Sequence, residues 1–299
     1  MSRTTGLLRR PGSERVHPSA TTEITAATAS PVRNSALTRA RRILRPRNPR
    51  AVLDAVVVLG ILIVAWQVVG QLLFGDSVSF VTPVEIVAQT YDDRNLLPQN
   101  VGATLKVAIL GYIIGNLIAF TTAAILVLSR PIEKIVSQLA LTLYALPTLV
   151  LAPILGAFMG PEATRVSVAA LVVFFPAFIS TCKGLRDASP QSIDLVYSLG
   201  GGRLRMLWLV RLRWSLPAVS AGFRIAVPNA LLGAIAAEWL GADRGLGIFM
   251  VNALGYLNAP RVWACVVICV VITLVGYALV DTLDRIVNSW TRGAKGGAK

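Results

Sequence analysis

The 299-residue sequence contains few of the residues from which enzyme active sites and metal sites are built. It has one histidine, His17, and only three cysteines. A structural zinc site needs four clustered ligands and a disulfide framework needs an even set of cysteines, so both are excluded. The phosphate-binding loop Gly-x-x-x-x-Gly-Lys-[Ser/Thr] is also missing from the sequence. We therefore predict no catalytic residue, no cofactor and no metal site in this chain.

Charged residues are scarce as well. They make up 15% of the chain, whereas 55% of the residues are hydrophobic and the mean hydropathy is +0.65. Soluble domains contain about 25% charged residues, so this balance is typical of a membrane protein. The net charge of +14 could instead indicate a nucleic-acid partner, and the positions of the basic residues decide between the two interpretations.

Long apolar runs divide the chain into predicted membrane spans. Charge-free runs cover residues 55–74, 107–129, 135–160, 166–182 and 262–280, and a sixth run, 214–240, is interrupted only by Arg224 and Glu238. About 20 helical residues cross the roughly 30 Å hydrocarbon core of a bilayer. We predict an all-α, polytopic membrane protein with six transmembrane helices in residues 51–290. Residues 1–50 are expected to form a disordered, basic, cytoplasmic tail and residues 291–299 a short cytoplasmic tail.

The basic residues predict the orientation in the membrane. If the amino terminus is cytoplasmic, the cytoplasmic segments hold 23 of the 29 basic residues, as the positive-inside rule requires. We therefore predict a multi-pass protein of the plasma or inner membrane with both termini in the cytoplasm. Topology and contact with anionic membrane lipid explain the arginines of the tail better than nucleic acid does.

The cytoplasmic loop 183–213 carries the clearest local signals. Ser189 is a favourable helix N-cap, and Pro190 follows at the first helical position. Ile193, Val196 and Tyr197 then fall on one face of a short helix, beside Asp194. This face is the kind of stiff, partly apolar surface to which another protein docks.

A glycine turn and a second basic helix complete the loop. The triplet at residues 200–202 stops the first helix, and residues 203–213 predict a basic amphipathic helix with Leu204, Leu207 and Trp208 on its apolar face. Its arginines, Arg203 among them, either contact a partner protein or hold the loop against anionic headgroups.

The loop resembles the EAA loop of the binding-protein-dependent ABC-importer permeases. The family pattern is Glu-Ala-Ala, three residues, Gly, and further on Leu-Pro. Residues Asp194-Leu195-Val196-Tyr197-Ser198-Leu199-Gly200 and Leu216-Pro217 follow it in this chain. Aspartate replaces the glutamate, leucine and valine replace the two alanines, and Gly200 matches.

The segment after the loop is similar to the nitrate/taurine/sulfonate branch of these permeases. The matching stretches are Leu212-Arg213-Trp214-Ser215-Leu216-Pro217, Gly222-Phe223-Arg224-Ile225, Ala237-Glu238-Trp239-Leu240-Gly241-Ala242 and Gly245-Leu246-Gly247. The first proline of the family's Leu-Pro-x-x-Leu-Pro pattern is replaced by Arg213. The resemblance covers roughly residues 51–290, and its motifs occur in the family's order.

The resemblance implies a type I ABC importer permease fold and a non-catalytic subunit that couples transport to ATP hydrolysed by a partner. It further implies a permease homodimer, separate ABC ATPase subunits and an extracytoplasmic substrate-binding protein. The substrate expected from the branch is a small anion such as an aliphatic sulfonate, taurine or nitrate. The expected ATPase-coupling residues are Ser189, Ile193, Asp194, Val196, Tyr197, Gly200 and Arg203. An ion-gradient-driven secondary transporter is the alternative, but the sequence lacks the internal repeats and midplane carboxylates expected of one.

Four residues are candidates for the translocation pathway or its gate, namely Lys106, Pro147, Asn229 and Glu238. Ionisable groups at membrane depth are costly and are functional candidates for that reason. Lys106 and Glu238 could equally form a structural ion pair with each other, and Asn229 could form an ordinary interhelical hydrogen bond.

Two further expectations concern the ends of the last helices. The outer connection 241–260 is expected to dip back toward the helix bundle, with irregular backbone covered by protein. Arg224 is expected to snorkel or pair locally, and Asp281, Asp284 and Arg285 to mark the inner end of the sixth helix and stay hydrated.

Overall fold

The structure, a computed structural model, describes residues 49–74, 80–128, 135–136, 138–139, 142 and 148–288. The helices in this part of the chain are α1 (Pro49–Phe74), α2 (Pro83–Asp92), α3 (Leu97–Leu126), α4 (Thr148–Gly156), α5 (Pro161–Arg186), α6 (Pro190–Ser198), α7 (Arg203–Met206), α8 (Leu212–Glu238), α9 (Leu246–Gly255) and α10 (Ala259–Val287). A 3₁₀ turn (Asp93–Asn95) precedes α3, and a π-helical segment (Leu207–Arg211) joins α7 to α8.

Five helices of the described part are long and apolar enough to cross a membrane. They are Leu53–Leu73, Leu97–Leu126, Pro161–Arg186, Arg203–Glu238 and Ala259–Ile286. These correspond to the predicted spans one, two, four, five and six, and they confirm the all-α membrane architecture. The predicted third span, 135–160, is described only in part: its second half contains α4, and most of the residues between 137 and 147 lie outside the described ones.

α5 lies at the centre of the described bundle, packed along both α3 and α8. Half of the residues in the most apolar stretch of α5 are buried, whereas only 6% are buried in the corresponding stretch of α1. Small residues allow this close approach. A Cβ added to Gly111 of α3 would lie 2.5 Å from the Cβ of Ala169, and one added to Gly233 of α8 would lie 2.8 Å from the Cα of the same alanine. Backbones in membrane bundles approach this closely only through such residues.

The contacts of α5 also establish the directions of the helices. Gly111 and Gly115 of α3 face successive turns of α5, so these two helices run parallel. α8 runs antiparallel to α5, because Gly184 meets Ala218 near one end and Gly233 meets Ala169 near the other. Since α3 and α5 run in the same direction, the end of α3 and the start of α5 lie at opposite ends of the bundle. We call the end where α6 lies the α6 end and the opposite end the α9 end.

Candidate functional site

The predicted start of the loop helix is confirmed. α6 begins at Pro190, and Ser189 is its N-cap, with an extended backbone. The Oγ atom of Ser189 accepts a hydrogen bond from the backbone N–H of Ser192 at 3.2 Å, which satisfies one of the free N–H groups at the helix terminus.

The predicted stop of this helix is confirmed too. Gly200 has φ of +73°, a left-handed conformation that glycine adopts without steric cost. The N–H of Gly200 donates to the carbonyl of Tyr197 at 2.9 Å, and the N–H of Gly201 donates to that of Val196 at 2.8 Å. These two bonds form a Schellman motif, which closes the helix end with its own backbone.

The apolar residues of α6, and Leu199 just after it, differ in exposure. Ile193 and Val196 pack inward, against the buried side chains of Ala188, Met206 and Val210. The exposed apolar side chains are Leu195 (62% exposed), Tyr197 (54%) and Leu199 (74%). The prediction placed Ile193, Val196 and Tyr197 together on the docking face. The structure leaves Tyr197 exposed and gives the other two an internal packing role.

The basic half of the loop is not a separate helix. α7, the π segment and α8 form one continuous helical span from Arg203 to Glu238. Leu207, which the prediction placed on its apolar face with Leu204 and Trp208, is buried. Those two remain 62% and 66% exposed, and Arg203 is exposed beside them.

Glu238 lies at the α9 end in a network that joins three helices. Its side chain is 1% exposed. The Oε2 atom accepts a hydrogen bond from the hydroxyl of Thr104 in α3 at 3.0 Å, and another from the backbone N–H of Gly247 in α9 at 2.7 Å. The Thr104 hydroxyl in turn accepts from the N–H of Leu246 at 2.8 Å.

Lys106 does not pair with Glu238, so the ion pair considered between them is not formed. The ammonium group of Lys106 contacts Glu162, at the first turn of α5, and both side chains are exposed. Lys106 and Glu238 lie at the same end of the bundle, as predicted. The Lys106 side chain is exposed, however, whereas Glu238 is buried.

The structure says less about the remaining two candidates for the translocation pathway, Asn229 and Pro147. The Asn229 side chain donates to the carbonyl of Ile225, one turn earlier in its own helix, at 3.1 Å. This bond is a local one and not the interhelical bond considered as the alternative. Pro147 lies outside the described residues.

Comparison with known proteins identifies the family. Residues 111–293 match the family described as binding-protein-dependent transport system inner membrane component. A probable ABC transporter permease protein of Haemophilus influenzae is 31% identical over 232 residues, which is 77% of this chain and 95% of the relative. The chain belongs to this family of inner-membrane transport components.

Other relatives of this permease are named for several substrates. A formylaminopyrimidine transport permease of Halalkalibacterium halodurans is 28% identical, covering 77% of this chain and 93% of the relative. A riboflavin transport permease of Chloroflexus aurantiacus is 29% identical, covering 78% of this chain and 88% of the relative. Permeases named for aliphatic sulfonates, taurine and nitrate are 25%, 24% and 27% identical.

A solved structure supports the fold of the permease. The crystal structure of an amino acid ABC transporter has a TM-score of 0.52 and 19% identity, covering 67% of this chain and 97% of that chain. At this identity the similarity concerns the fold alone, which is the ABC importer permease fold that the resemblance implied.

Sequence reasoning missed the side chains of the permease that bind Glu238 and the residues at the start of α9. Thr104 looked like one of many threonines in apolar helices, and Asn100, whose Oδ1 accepts from the N–H of Gly245 at 3.0 Å, was not singled out. The available signal was the Gly-Leu-Gly sequence at 245–247, because closely spaced glycines mark a close approach of backbone to another group.

The expectation for the last helix of the permease was partly wrong. Asp284 does not stay hydrated: it is buried and accepts a hydrogen bond from Arg224 of α8 at 3.1 Å. Arg224 also donates to Asp281 at 2.8 Å, so it pairs across two helices. At the α9 end, Arg261 forms a two-pronged ion pair with the buried Asp93, at 2.7 and 2.8 Å. These pairs join α10 to α8 and to the turn that follows α2.

Proposed function

We propose that this chain is the transmembrane permease subunit of an ATP-driven ABC importer and that α6 couples it to a separate ATPase. One observation carries the proposal. A helix closed at both ends by its own caps leaves Leu195, Tyr197 and Leu199 exposed between two membrane spans. Such apolar side chains on a rigid helix suit insertion into a groove of a partner.

The packing of α6 supports a mechanical role. Ile193 and Val196 press on Met206 and Val210, which belong to the same continuous helix that ends at Glu238. That helix has 36 residues and is roughly 54 Å long, so it reaches from the α6 end to the α9 end. A shift of α6 when the ATPase closes would therefore move the far end of the bundle. Coupling requires that nucleotide and the loaded binding protein stabilise different arrangements of the permease.

The assembly follows from this role. We place the α6 end and both termini in the cytoplasm, with two ATPase subunits below and an extracytoplasmic binding protein at the α9 end. Two copies of the permease are needed, since one copy of this fold supplies half of a transport route. ATP binds to the partner subunits, and the permease itself contributes no catalytic group. Membership of a binding-protein-dependent family argues against the ion-gradient-driven alternative.

Membrane lipid is a further proposed partner. The start of the long helix exposes Trp208 and Trp214 with three arginines, Arg203, Arg205 and Arg213. Exposed tryptophans interleaved with arginines are typical of a helix surface at the level of anionic headgroups. In this arrangement the lipid holds the base of the coupling loop at the membrane surface.

A small anion such as a sulfonate, taurine or nitrate is the substrate class we propose. The relatives named for those substrates support it. A small heterocycle is the second candidate, because the relatives named for formylaminopyrimidine and riboflavin have slightly higher identity. Uptake of a labelled sulfonate in cells that express the full importer, with each class as unlabelled competitor, separates the two.

Co-purification tests the coupling proposal. The permease is purified in mild detergent with its ATPase as wild type and as Leu195→Asp, which places a charge on the exposed face without removing a buried contact. We expect the wild type to retain the ATPase and the variant to lose most of it.

The matched control is Leu96→Asp, the same substitution at a leucine that is 50% exposed beside the start of α3, at the α9 end. It should retain the ATPase as the wild type does. Equal loss from both variants, or an ATPase that binds neither the wild type nor the variants, would contradict the proposal.

A further inference from the structure

α9 is a short helix set between two long spans. Its ten residues span about 15 Å, too little to cross a bilayer. Left-handed backbone lies before it, at Gly241 (φ +118°) and Gly245 (φ +142°), and after it, at Leu257 (φ +55°). The outer connection was predicted to dip inward as irregular backbone. It does return to the bundle, burying Leu246, Gly247 and Ala253, but it does so as a regular helix.

The start of α9 is held by two side chains from elsewhere in the chain. Glu238 of α8 accepts the N–H of Gly247, and Thr104 of α3 accepts the N–H of Leu246. Thr104 also donates its hydroxyl hydrogen to Glu238, so each of the two side chains supports the other. The first N–H groups of a helix have no partner within it, and here the carboxylate and the hydroxyl supply two. We call Glu238 and Thr104 the α9 clamp.

The start of α9 packs tightly against the clamp. A Cβ on Gly245 would overlap the carboxylate of Glu238, and one on Gly247 would lie 2.6 Å from the carbonyl oxygen of Ile235. With Glu238 1% exposed and Thr104 fully buried, neither side chain faces an open route. Of the two roles for which Glu238 was a candidate, the translocation pathway and its gate, this burial fits the gate better.

Besides its hydrogen bonds, the Glu238 carboxyl group has electrostatic neighbours. A carboxylate at a helix N-terminus is stabilised by the helix dipole, and Arg165 at the start of α5 lies near enough to Glu238 to interact with it electrostatically. The Oε1 atom of Glu238 and the Nε atom of Arg165 are both buried and have no hydrogen-bond partner among the described residues. The Glu238 carboxyl group therefore lies near both the amino-terminal end of α9 and the Arg165 cation of α5.

We propose that Glu238 and Thr104 are positioning residues that join α9 to the outer ends of α3 and α8, so that α9 moves with α8 during transport. This inference rests on the proposed function, in which α8 carries the displacement of α6 to the α9 end. A clamped α9 keeps the outer end closed until the loaded binding protein arrives. A released α9 no longer follows α8, so ATP hydrolysis is no longer tied to substrate delivery.

Hydrogen exchange on the purified permease tests the clamp without any transport partner. We expect Glu238→Ala and Thr104→Val to speed exchange of the α9 amides, those of Leu246 and Gly247 above all, by tenfold or more. Thr104→Ser keeps the hydroxyl and should behave as wild type. Thr121→Val is the matched control, because Thr121 lies on the same helix and, among the described residues, its hydroxyl bonds only to the carbonyls of Leu117 and Ile118 in that helix.

Unchanged exchange in α9, or faster exchange across the whole bundle with no preference for α9, would overturn the clamp. The Glu238→Gln variant then separates the effect of hydrogen-bond geometry from the effect of charge. Its amide oxygen can accept both hydrogen bonds, so wild-type exchange would assign the clamp to geometry. Fast exchange would assign it to the charge between α9 and Arg165.

The reconstituted importer tests the functional part. The ratio of ATP hydrolysis with loaded binding protein to hydrolysis without it should fall severalfold in Thr104→Val, through a higher basal rate, and should be restored in Thr104→Ser. A variant with fast α9 exchange but an unchanged ratio would show that the clamp is merely structural. If the wild-type permease shows no stimulated hydrolysis while its exchange pattern is as expected, the proposed function fails and the clamp stands.

Discussion

Two of the permease's short helices, α6 and α9, lie between membrane spans at opposite ends of the bundle, and they are held in different ways. α6 has nine residues, none of them buried, and its ends are closed by Ser189 and by the glycines at 200 and 201. α9 has ten residues, three of them buried, and its start is held by side chains of α3 and α8. One helix is stabilised locally and the other by distant contacts.

The difference matches the work proposed for each helix. A helix that inserts into a partner has to leave a face free, so it can use only its own caps and one packed side to keep its shape. A helix that must move with the bundle needs contacts to several of its spans. The comparison predicts that substitutions at α9 affect the stability of the whole protein, whereas substitutions at α6 remain local.

The largest effect is expected at the packed start of α9. In Gly247→Ala the new methyl group would lie 2.6 Å from the carbonyl oxygen of Ile235 and 2.8 Å from the Cβ of Glu238. Overpacking of this kind costs about 1–3 kcal/mol, and we expect a lower midpoint of thermal unfolding in detergent.

Gly255→Ala is the control, because Gly255 ends the same helix and a Cβ there meets nothing within 4 Å. It should leave the midpoint unchanged or raise it slightly. Equal destabilisation by the two substitutions would show that α9 is not anchored at its start.

The same contrast explains how much of the molecule the sequence could predict. The spans follow from apolar runs, and the ends of α6 follow from signals within a few residues, Ser189 before Pro190 and the glycines after Leu199. The clamp does not follow from any local pattern. Thr104 and Glu238 are 134 residues apart, and nothing near either residue indicates the other.

Charge alone was a poor guide at the α9 end. The prediction considered a pair of Lys106 with Glu238 because both lie near the ends of apolar runs on one side of the membrane. The rotation of each helix about its axis decides the partners, and it turns Lys106 to the exposed Glu162 while Glu238 faces α9. At the α6 end, Ile193 and Val196 were predicted to share a docking face with Tyr197, and the structure packs these two against Met206 and Val210.

At the α6 end, a substitution of the closing glycine should have an intermediate effect. Gly200→Val forces a β-branched residue into a left-handed backbone, at a cost of about 1–2 kcal/mol, and should fray the last turn of α6. Gly200→Asn is the control, since asparagine tolerates this conformation. Hydrogen exchange at Leu199 and Gly201 should quicken in the valine variant and hardly change in the asparagine variant. Fast exchange in both variants would mean that the conformation of Gly200 is not what closes the helix.

The smallest effect is expected at the other end of α6, and it tests most directly whether this helix is stabilised locally. Ser189→Ala removes the N-cap bond to Ser192, which is worth about 1 kcal/mol, or roughly a fivefold change in local opening. Exchange of the first amides of α6 should quicken by that factor while the unfolding midpoint of the bundle stays at the wild-type value, because no residue of α6 is buried. A drop in the midpoint as large as that of Gly247→Ala would show that α6 is tied to the bundle as firmly as α9, and the contrast between the two helices would be lost.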